Sequence, residues 1–360
     1  MATAPRLLYE TKRGKAFVGD SQAGMRRLKD ESVQLIMTSP PFALRRKKEY
    51  GNKSEDDYIE WFLGFADLFW DKLKPDGSLV IDLGGSWMPG LPTRALYQFE
   101  LLLQLCRHRG EKNFHLAQDF YWYNPAKLPS PAQWVTIERV RVKDAVNVIW
   151  WLSKTPQPKA SNRRVLKPYS RAMERLLARQ SYNAGRRPSQ HLISEESWKK
   201  RNAGAIPANQ FSVEYDPLQV PENLDAALAE AGEDSVNWLE ISNTESMSAY
   251  QRVLRELERD TPEADRAALR ERICSHPARF PVELPAFFID FLTDDPKDLV
   301  VDPFAGSNVT GEAAEAAGRR WRAYELHEPY LQGSLARFPR KAVTWHGTPS
   351  VLDELLPERV

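Results

Sequence analysis

Apolar positions between residues 15 and 152 fall into short runs that alternate with longer stretches of helical spacing. The short runs, AFVGD (16–20), VQLIMT (33–38) and SLVIDL (78–83), have the length of strands buried on both faces. Between them, YIEWFLGFADLFWDKLK (58–74) repeats apolar residues every three or four positions, and LKPDG then predicts a turn. Alternation of this kind predicts an α/β fold, a doubly wound and mostly parallel sheet with helices on both faces.

The alternation stops after Thr155 and returns near Pro281. ELPAFFIDFL (283–292) is predicted as a helix, and DLVVD (298–302) and RWRAYEL (320–326) as strands. We therefore expect one α/β domain with an insertion: 1–153 and 274–360 form its two halves, and 154–273 is the inserted segment. Within the insertion, QRVLRELERD (251–260) is the clearest predicted helix.

Charge divides the insertion into two opposed blocks. Residues 154–201 hold thirteen Lys and Arg against three Glu, a net charge of +10, whereas residues 214–265 hold fourteen Asp and Glu against three Arg, a net charge of −11. The chain as a whole carries only +1, so its net charge neither requires nor excludes a polyanionic partner. The basic block favours contact with nucleic acid, and the acidic block is interpreted as scaffold or as a surface for a partner.

Composition excludes several classes of protein. With 42% hydrophobic and 28% charged residues, the 360-residue chain is unlike disordered, collagenous or disulfide-rich proteins. Cys106 and Cys274 lie too far apart for a CxxC pair, and six histidines offer no recognisable ligand set, so no metal is expected. VIWWL (148–152) is too short to span a membrane, and residues 1–15 contain no signal-peptide core. These features predict a cytoplasmic protein.

The first candidate for chemistry is the segment Thr38-Ser39-Pro40-Pro41-Phe42, directly after a predicted strand, where α/β folds place their sites. Two prolines remove two backbone donors, which leaves the carbonyls of Ser39 and Pro40 free to accept. A planar base with an exocyclic amine would fit. The Ser39 hydroxyl and the Pro40 carbonyl would accept its two hydrogens, and Phe42 would stack on its ring. An ordinary proline-rich turn is the alternative.

The second candidate is LVVDPFAGSNVT (299–310), which predicts a strand, a tight turn and a helix that begins near Val309. Gly306 and its small neighbours let the backbone approach a ligand, and the helix N-terminus offers amides to a carboxylate. About twenty residues later, Glu325 ends the next predicted strand, where an acid can accept from ribose hydroxyls. The alternative is a strand-turn-helix with an incidental acid.

Together the two motifs resemble those of the DNA amino-methyltransferases that use S-adenosylmethionine. Their order, with the catalytic motif first, resembles the beta group, and the similarity covers roughly residues 15–153 and 276–338. It implies a Rossmann-like methyltransferase fold with circularly permuted motif order, in which 154–273 is the target-recognition domain. The Ser-Pro-Pro-Phe form is more similar to cytosine-N4 enzymes than to the Asp-Pro-Pro-Tyr adenine enzymes. Ser39, Pro40, Pro41 and Phe42 would be the catalytic residues.

The resemblance also implies a binding site for S-adenosylmethionine. The segment 276–281 matches HPAxFP and would hold the methionine end, Glu325 would bind the ribose, and Asp20 would lie beside the adenine. The predicted cofactor residues are Asp20, Thr38, His276, Pro277, Phe280, Pro281, Asp302, Pro303, Phe304, Ala305, Gly306, Ser307, Asn308, Thr310, Glu325 and Leu326.

Two departures from the family pattern concern this site. DPFAGSNVT has Asn308 and Val309 where the family usually has Gly and Thr. Because Asn tolerates a positive φ better than other non-glycine residues, we still expect a working loop. His327 stands where family members often have Asp, which changes little because Glu325 is retained.

Base flipping requires a pocket with aromatic walls. Residues 120–125, FYWYNP, resemble the family segment that lines it, so Trp122 and Tyr123 are candidates; packing of a half-buried strand is the alternative. Methylation of a ring carbon would need a nucleophilic cysteine, and neither Cys106 nor Cys274 follows a proline after a strand.

Double-stranded DNA is the expected partner. The predicted contacts are basic: Arg45, Arg46, Lys47, Lys48, Arg163, Arg164, Lys167, Arg171, Arg175, Arg179, Arg186 and Arg187. Arg171, Arg175 and Arg179 recur at a spacing of four, which aligns them on one helical face. The sequence leaves open whether a cognate restriction endonuclease is a second partner and whether the protein is a monomer or a dimer. It also leaves two alternatives to cytosine methylation: adenine-N6 methylation and a non-catalytic DNA-binding protein. The expected location is the bacterial cytoplasm, at the nucleoid.

Overall fold

The computed structural model describes residues 4–41, 55–88, 90–123, 129, 131–179, 185–186, 192–193, 201–212, 249–273 and 281–347. Several predicted site residues therefore lie outside the described residues: Phe42, Arg45, Arg46, Lys47, Lys48, Arg187, His276, Pro277 and Phe280. The same holds for most of the acidic block. Arg186 is described only as part of a strand.

Twelve strands are described: β1 Arg6–Glu10, β2 Gly14–Val18, β3 Val33–Thr38, β4 Leu73–Asp82, β5 His115–Tyr123, β6 Val146–Ser153, β7 Gly185–Arg186, β8 Leu192–Ile193, β9 Gln210–Ser212, β10 Leu299–Asp302, β11 Arg320–Glu325 and β12 Thr344–Trp345. The described α-helices are α1 Ser21–Met25, α2 Glu55–Lys72, α3 Tyr97–Arg107, α4 Arg171–Arg179, α5 Ala249–Asp260, α6 Arg266–Arg272, α7 Glu283–Leu292, α8 Val309–Ala316 and α9 Glu328–Gly333. Short 3₁₀ turns at 110–112, 162–164, 263–265, 334–337 and 340–342, and a π-helical turn at 133–137, complete the described elements.

Ten of the described strands form one sheet, in the order β12-β1-β2-β11-β10-β3-β4-β6-β5-β9. The five central strands, β2, β11, β10, β3 and β4, are parallel to one another. Antiparallel pairs flank them on both sides, β1 with β2 and β12, and β6 with β4 and β5. The predicted doubly wound, mostly parallel sheet is thus confirmed.

Each central strand buries side chains on both faces of the sheet. In β10, Val300 belongs to the apolar cluster on one face, called the first cluster. Leu299 and Val301 belong to the apolar cluster on the other face, called the second cluster. Helices α2 and α3 cover the second cluster, whereas α5 to α9 contribute to the first. Two-sided burial explains why these strands appear in the sequence as continuous apolar runs.

Two predicted element boundaries are wrong. Helix α2 ends at Lys72, and Leu73 opens β4 directly, paired with Val33, so LKPDG is part of a strand with a register shift. The turn expected here is absent because Leu73 is buried against the sheet, and Pro75 disfavours helix at the residue before it. The first predicted strand, 16–20, instead spans Gly14–Val18, because Gly19 has a φ of +131° and Asp20 caps α1.

Parts of the predicted insertion join the sheet domain. β9 pairs with β5 and extends the sheet by one strand, while Tyr250 and Leu269 on α5 and α6 are buried in the first apolar cluster. The boundaries 1–153, 154–273 and 274–360 stay a prediction. In the described part of the chain, no helix combines the length and the hydrophobicity that crossing a membrane requires.

Candidate active site

The site is built at the carboxyl edge of the five parallel strands. From β3 the chain passes through α2 to β4 on one side, and from β10 it passes through α8 to β11 on the other. The strand order therefore reverses between β3 and β10, which is where open α/β sheets leave a crevice for ligands. Thr38 ends β3 and Asp302 ends β10, so the two predicted motifs meet at this point.

Asp302 joins the two motifs. Its Oδ1 accepts from the Thr38 hydroxyl at 2.8 Å and from the Phe304 amide at 3.0 Å, and its Oδ2 accepts from the Thr310 hydroxyl at 2.7 Å. Burial raises the pKa of Asp302 to about 6, although these three donors act in the opposite direction. Hydrogen bonds to this one carboxylate therefore hold the two motifs together.

Ser39 lies one residue beyond the end of β3 and is partly exposed, while Pro40 is buried. The Ser39 hydroxyl donates to Asp82 Oδ2 at the end of β4, with 3.3 Å between the oxygens. Because the Ser39 hydrogen points to a carboxylate, the oxygen lone pairs face away from it and can accept from a ligand.

Backbone amides of the loop after β10 and of the turn after β11 donate hydrogen bonds to Glu325. Gly306 has a φ of +51°, and its amide donates to Glu325 Oε2 at 2.8 Å. The amide of His327 donates to Glu325 Oε1 at 2.8 Å. Burial raises the pKa of Glu325, while these backbone amides act to lower it. The carboxylate is oriented by the loop and keeps further lone pairs for a ligand.

Asn308 occupies the position where the family pattern has Gly. Its φ of +53° is left-handed, as expected, and its Oδ1 caps α8 by accepting from the Gly311 amide at 3.1 Å. The side chain is buried, and its Nδ2 donates to the Tyr9 hydroxyl at 2.8 Å. Tyr9 also contacts the Ser334 hydroxyl at 2.6 Å. A polar network thus replaces the glycine, and the predicted conformation is confirmed.

A buried arginine supports the same loop from below. Arg337 donates from Nε to the Ser307 carbonyl at 2.6 Å and from Nη1 to Glu312 at 2.6 Å. Its guanidinium lies 4.1 Å from the centre of the Tyr250 ring. These charge-assisted hydrogen bonds and the cation–π contact hold the loop in place.

The structure also defines contacts or exposure for other predicted cofactor residues. Asp20 caps α1 by accepting from the Gln22 amide at 2.8 Å, beside the end of β2. Phe304 packs on Phe65, with 5.0 Å between ring centres, and Leu326 exposes 73% of its surface directly after Glu325. Pro303, Ala305 and Pro281 are buried.

Trp122 and Tyr123, proposed to line a base pocket, end β5. Trp122 is 3% exposed and belongs to the first apolar cluster, while Tyr123 is partly exposed. The indole Nε1 of Trp122 is buried without a hydrogen-bond partner. Their role in base binding stays a prediction.

The predicted DNA contacts divide into two groups. Arg171, Arg175 and Arg179 are exposed on α4, as their spacing predicted, and Arg163 and Lys167 are also exposed. Arg164 is used differently, since it donates to the carbonyls of Asp290 and Phe291 at 2.7 and 2.8 Å. These contacts fix the C-terminal part of α7, and a role of Arg164 in DNA binding stays a prediction.

Three residues of the site were missed by sequence reasoning: Asp82, Tyr9 and Arg337. Asp82 had a usable signal, because it ends the predicted strand 78–83 at the same edge as Ser39 and Asp302. Tyr9 and Arg337 had none, since their contacts with Asn308 and Ser307 join positions about 300 and 30 residues apart.

The donors and acceptors match the chemistry of S-adenosylmethionine. Glu325 offers carboxylate oxygens suited to ribose hydroxyls, and the start of α8 offers the positive end of a helix dipole to a carboxylate. The exposed Leu326 side chain provides apolar surface for a purine ring. The residues present fit the expected cofactor.

Comparison with known proteins gives a consistent result. The pattern of the family described as DNA methylase matches residues 33–336. Type II methyltransferase M.PvuII of Proteus hauseri is 43% identical over 332 residues, 92% of this chain and 85% of that protein. DNA adenine methyltransferase YhdJ of Escherichia coli (strain K12) is 38% identical over 63 residues, 18% of this chain and 21% of that protein. The solved structure of PvuII DNA methyltransferase (cytosine-N4-specific) superposes with a TM-score of 0.63 at 36% identity, covering 96% of this chain and 92% of that one.

Proposed function

Because the chain belongs to the DNA methylase family, we propose that it transfers a methyl group from S-adenosylmethionine to the N4 amine of a cytosine flipped out of double-stranded DNA. Membership of the family confirms the resemblance inferred from the two motifs. The observation that carries the proposal is a pair of hydrogen bonds to Asp302. One comes from Thr38, just before the Ser-Pro-Pro turn, and the other comes from Thr310, at the start of α8 directly after the cofactor loop.

The protein's own groups supply position and polarity. A cytosine amine is a poor nucleophile because its lone pair is delocalised into the ring. Ser39 Oγ and the Pro40 carbonyl are suited to accept its two hydrogens, which favours a pyramidal nitrogen and exposes the lone pair. Asp82 orients the Ser39 hydrogen away from the amine. S-adenosylmethionine supplies a methyl group on a positively charged sulfur, so direct displacement requires no covalent enzyme intermediate.

The assignment of cytosine rests on Ser39 and on relatives. Ser39 occupies the position of Asp in adenine enzymes, and the PvuII enzyme, 43% identical over most of this chain, is described as cytosine-N4-specific. YhdJ, an adenine methyltransferase, matches only 63 residues. Adenine-N6 methylation is therefore the second candidate.

The cellular setting follows from the substrate. Relatives named type II methyltransferases favour a restriction-modification context, so we propose that the chain acts on chromosomal DNA at the bacterial nucleoid, alongside a cognate endonuclease.

The test identifies the modified base. Purified protein is incubated with S-adenosylmethionine and unmethylated genomic DNA, the DNA is digested to nucleosides, and the products are identified by mass spectrometry. N4-methylcytosine is the expected product. N6-methyladenine would overturn the base assignment, and no methylated base would overturn the proposed activity. Reactions without S-adenosylmethionine provide the background.

A further inference from the structure

Two loops stand at the same edge of the sheet as Ser39. One, described at residues 83–88 and 90–96, follows β4, whose last residue is Asp82. The other, described at residues 129 and 131–145, joins β5 to β6. Since Asp82 pairs with Ile149 and Tyr123 pairs with Val146, this second loop leaves the sheet beside the carboxyl end of β4. Both loops therefore border the site at which the base must arrive.

The loops are fixed to each other by cation–π contacts and an ion pair. The Arg141 guanidinium lies 3.5 Å from the centre of the Trp87 ring, and Arg141 Nη1 donates to the Pro92 carbonyl at 2.6 Å. Arg94 lies 5.2 Å from the same ring and pairs with Asp144 at 2.9 Å. The first loop is itself a hairpin, in which Trp87 bridges to Arg94. The second loop is therefore held to the first at Arg141 and Asp144.

Apolar side chains of the second loop nevertheless point into solvent. Val142 exposes 85% of its surface, the largest exposure among the large hydrophobic residues described, and Ile137 and Val140 expose 68% and 61%. A loop held by Trp87 and Arg94 that leaves three aliphatic side chains bare indicates a surface that another molecule covers.

The charges of the loop indicate what covers it. Arg139 and Lys143 flank the exposed valines and are themselves exposed. Both acidic groups of the segment are bonded inside the loops, Glu138 to Gln133 at 2.6 Å and Asp144 to Arg94. Alternating valines and cations, beside a site that takes a base out of a duplex, suit DNA, because cations contact phosphates and aliphatic side chains enter the base stack.

We propose that the segment 137–143 contacts the DNA duplex beside the target and that Val142 fills the space left by the flipped base. This inference rests on the proposed function. It assigns Val142 to the step in which the base leaves the duplex and not to the step in which the methyl group is transferred. Flipping costs unpairing and unstacking, and an aliphatic side chain in the vacated space offsets part of that cost. Val142 acts on the duplex, whereas Ser39 acts on the extruded amine.

The test compares methylation rates on two substrates. One is a duplex that carries a site mapped with the wild-type enzyme, and the other is the same duplex with the target base mispaired, which removes part of the cost of flipping. Val142→Ala should methylate the paired duplex about tenfold more slowly and the mispaired duplex at close to the wild-type rate. Val142→Ile, which keeps the aliphatic bulk, should retain activity on both.

Leu116→Ala is the matched control, because Leu116 is 43% exposed on β5 but pairs with Leu152, away from the catalytic edge. It should leave both rates unchanged. Equal rates for Val142→Ala and the wild type on the paired duplex, or an equal reduction on both duplexes, would overturn the proposal. A wild-type dimer that Val142→Ala converts to a monomer would also overturn it, with a second copy as the occupant. If the wild type methylates no DNA, so that no site can be mapped, the proposed function fails first.

Discussion

At the scale of single residues, the site depends on carboxylates that finish neighbouring strands. Asp82, Asp302 and Glu325 all lie at the carboxyl edge of the sheet, and each is bonded to a backbone or side-chain donor of the turn beside it. Their role in the protein alone is to orient: Asp82 turns the Ser39 hydroxyl, Asp302 joins the two motifs, and Glu325 closes the loop. These bonds orient the polar groups of the site in advance, as catalysis by fixed dipoles requires.

Ser39→Ala should reduce methyl transfer about 100-fold while leaving binding of S-adenosylmethionine nearly unchanged, because it removes an acceptor of the amine hydrogen and no contact of the cofactor loop. Single-turnover rates and isothermal titration calorimetry separate the two effects. Ser32→Ala is the control, since Ser32 lies just before β3, at the other end of the strand. Full activity of Ser39→Ala would exclude the proposed role of its hydroxyl.

Glu325→Gln should weaken binding of S-adenosylmethionine about 10- to 100-fold. The amide would set an N–H₂ group against the amide of Gly306 or His327, and the charge that favours ribose hydroxyls would be removed. Calorimetric titration with S-adenosylhomocysteine measures the change without turnover. Glu328→Gln, three residues later and paired with Arg6 at the surface, should bind as the wild type does. Unchanged affinity of Glu325→Gln would exclude contact with the ribose.

At the scale of elements, agreement between sequence and structure depends on how local the signal is. Strand β3 and helices α4, α5 and α7 lie where periodicity placed them, because each carries its own apolar or charged repeat. Strand β9 has three residues and no repeat, and its pairing with β5 is a contact between positions about 90 residues apart. In the site, the turn geometry was predictable from Gly306 and Asn308, whereas the supporting contacts of Tyr9 and Arg337 were not.

The exposed arginines of α4 give a prediction at this scale. Replacing Arg171, Arg175 and Arg179 together by Gln should weaken DNA binding. The association constant should also fall less steeply with salt, because the slope of its logarithm against log salt becomes less negative by roughly 0.9 for each phosphate that the variant no longer neutralises. Fluorescence anisotropy at several salt concentrations measures the slope. The matched control replaces Arg252, Arg255 and Arg259 of α5, which are also exposed but lie among acidic residues. Equal slopes for the two triple variants would exclude α4 from the interface.

At the scale of the whole molecule, one buried acid ties distant segments together at the edge of the sheet opposite the active site. Asp298, just before β10, accepts from Lys74 of β4 at 2.9 Å and from Lys159 at 2.8 Å, and its side chain is 1% exposed. It also accepts from the amides of Asp294 and Asp295. Burial alone would raise the pKa of Asp298, but these donors outweigh it and hold the pKa at about 2.

This depressed pKa predicts a pH-dependent stability. Because the pKa in the folded protein lies below the unfolded value of 3.8, the stabilisation is fully present above about pH 4 and disappears as the pH falls towards 2. Asp298→Asn should lower the free energy of unfolding by about 2 kcal/mol at pH 7 and by progressively less in acid. Denaturant titrations at several pH values measure it, with Asp295→Asn as the control. An equal decrease at pH 2 and pH 7 would contradict the ion-pair explanation.

The Asn308 network also constrains how this chain can change through evolution. A Cβ added at Gly311 would lie 2.2 Å from Asn308 Oδ1, and the Asn308 side chain cannot turn away because Tyr9 and the α8 cap hold both of its polar atoms. Larger residues at position 311 therefore require a smaller residue, such as Gly, at position 308. The two positions should show strong epistasis: Gly311→Ala alone is deleterious, and the same change after Asn308→Gly is tolerated. The order of mutations, and not only their identity, decides which neighbouring sequences remain functional.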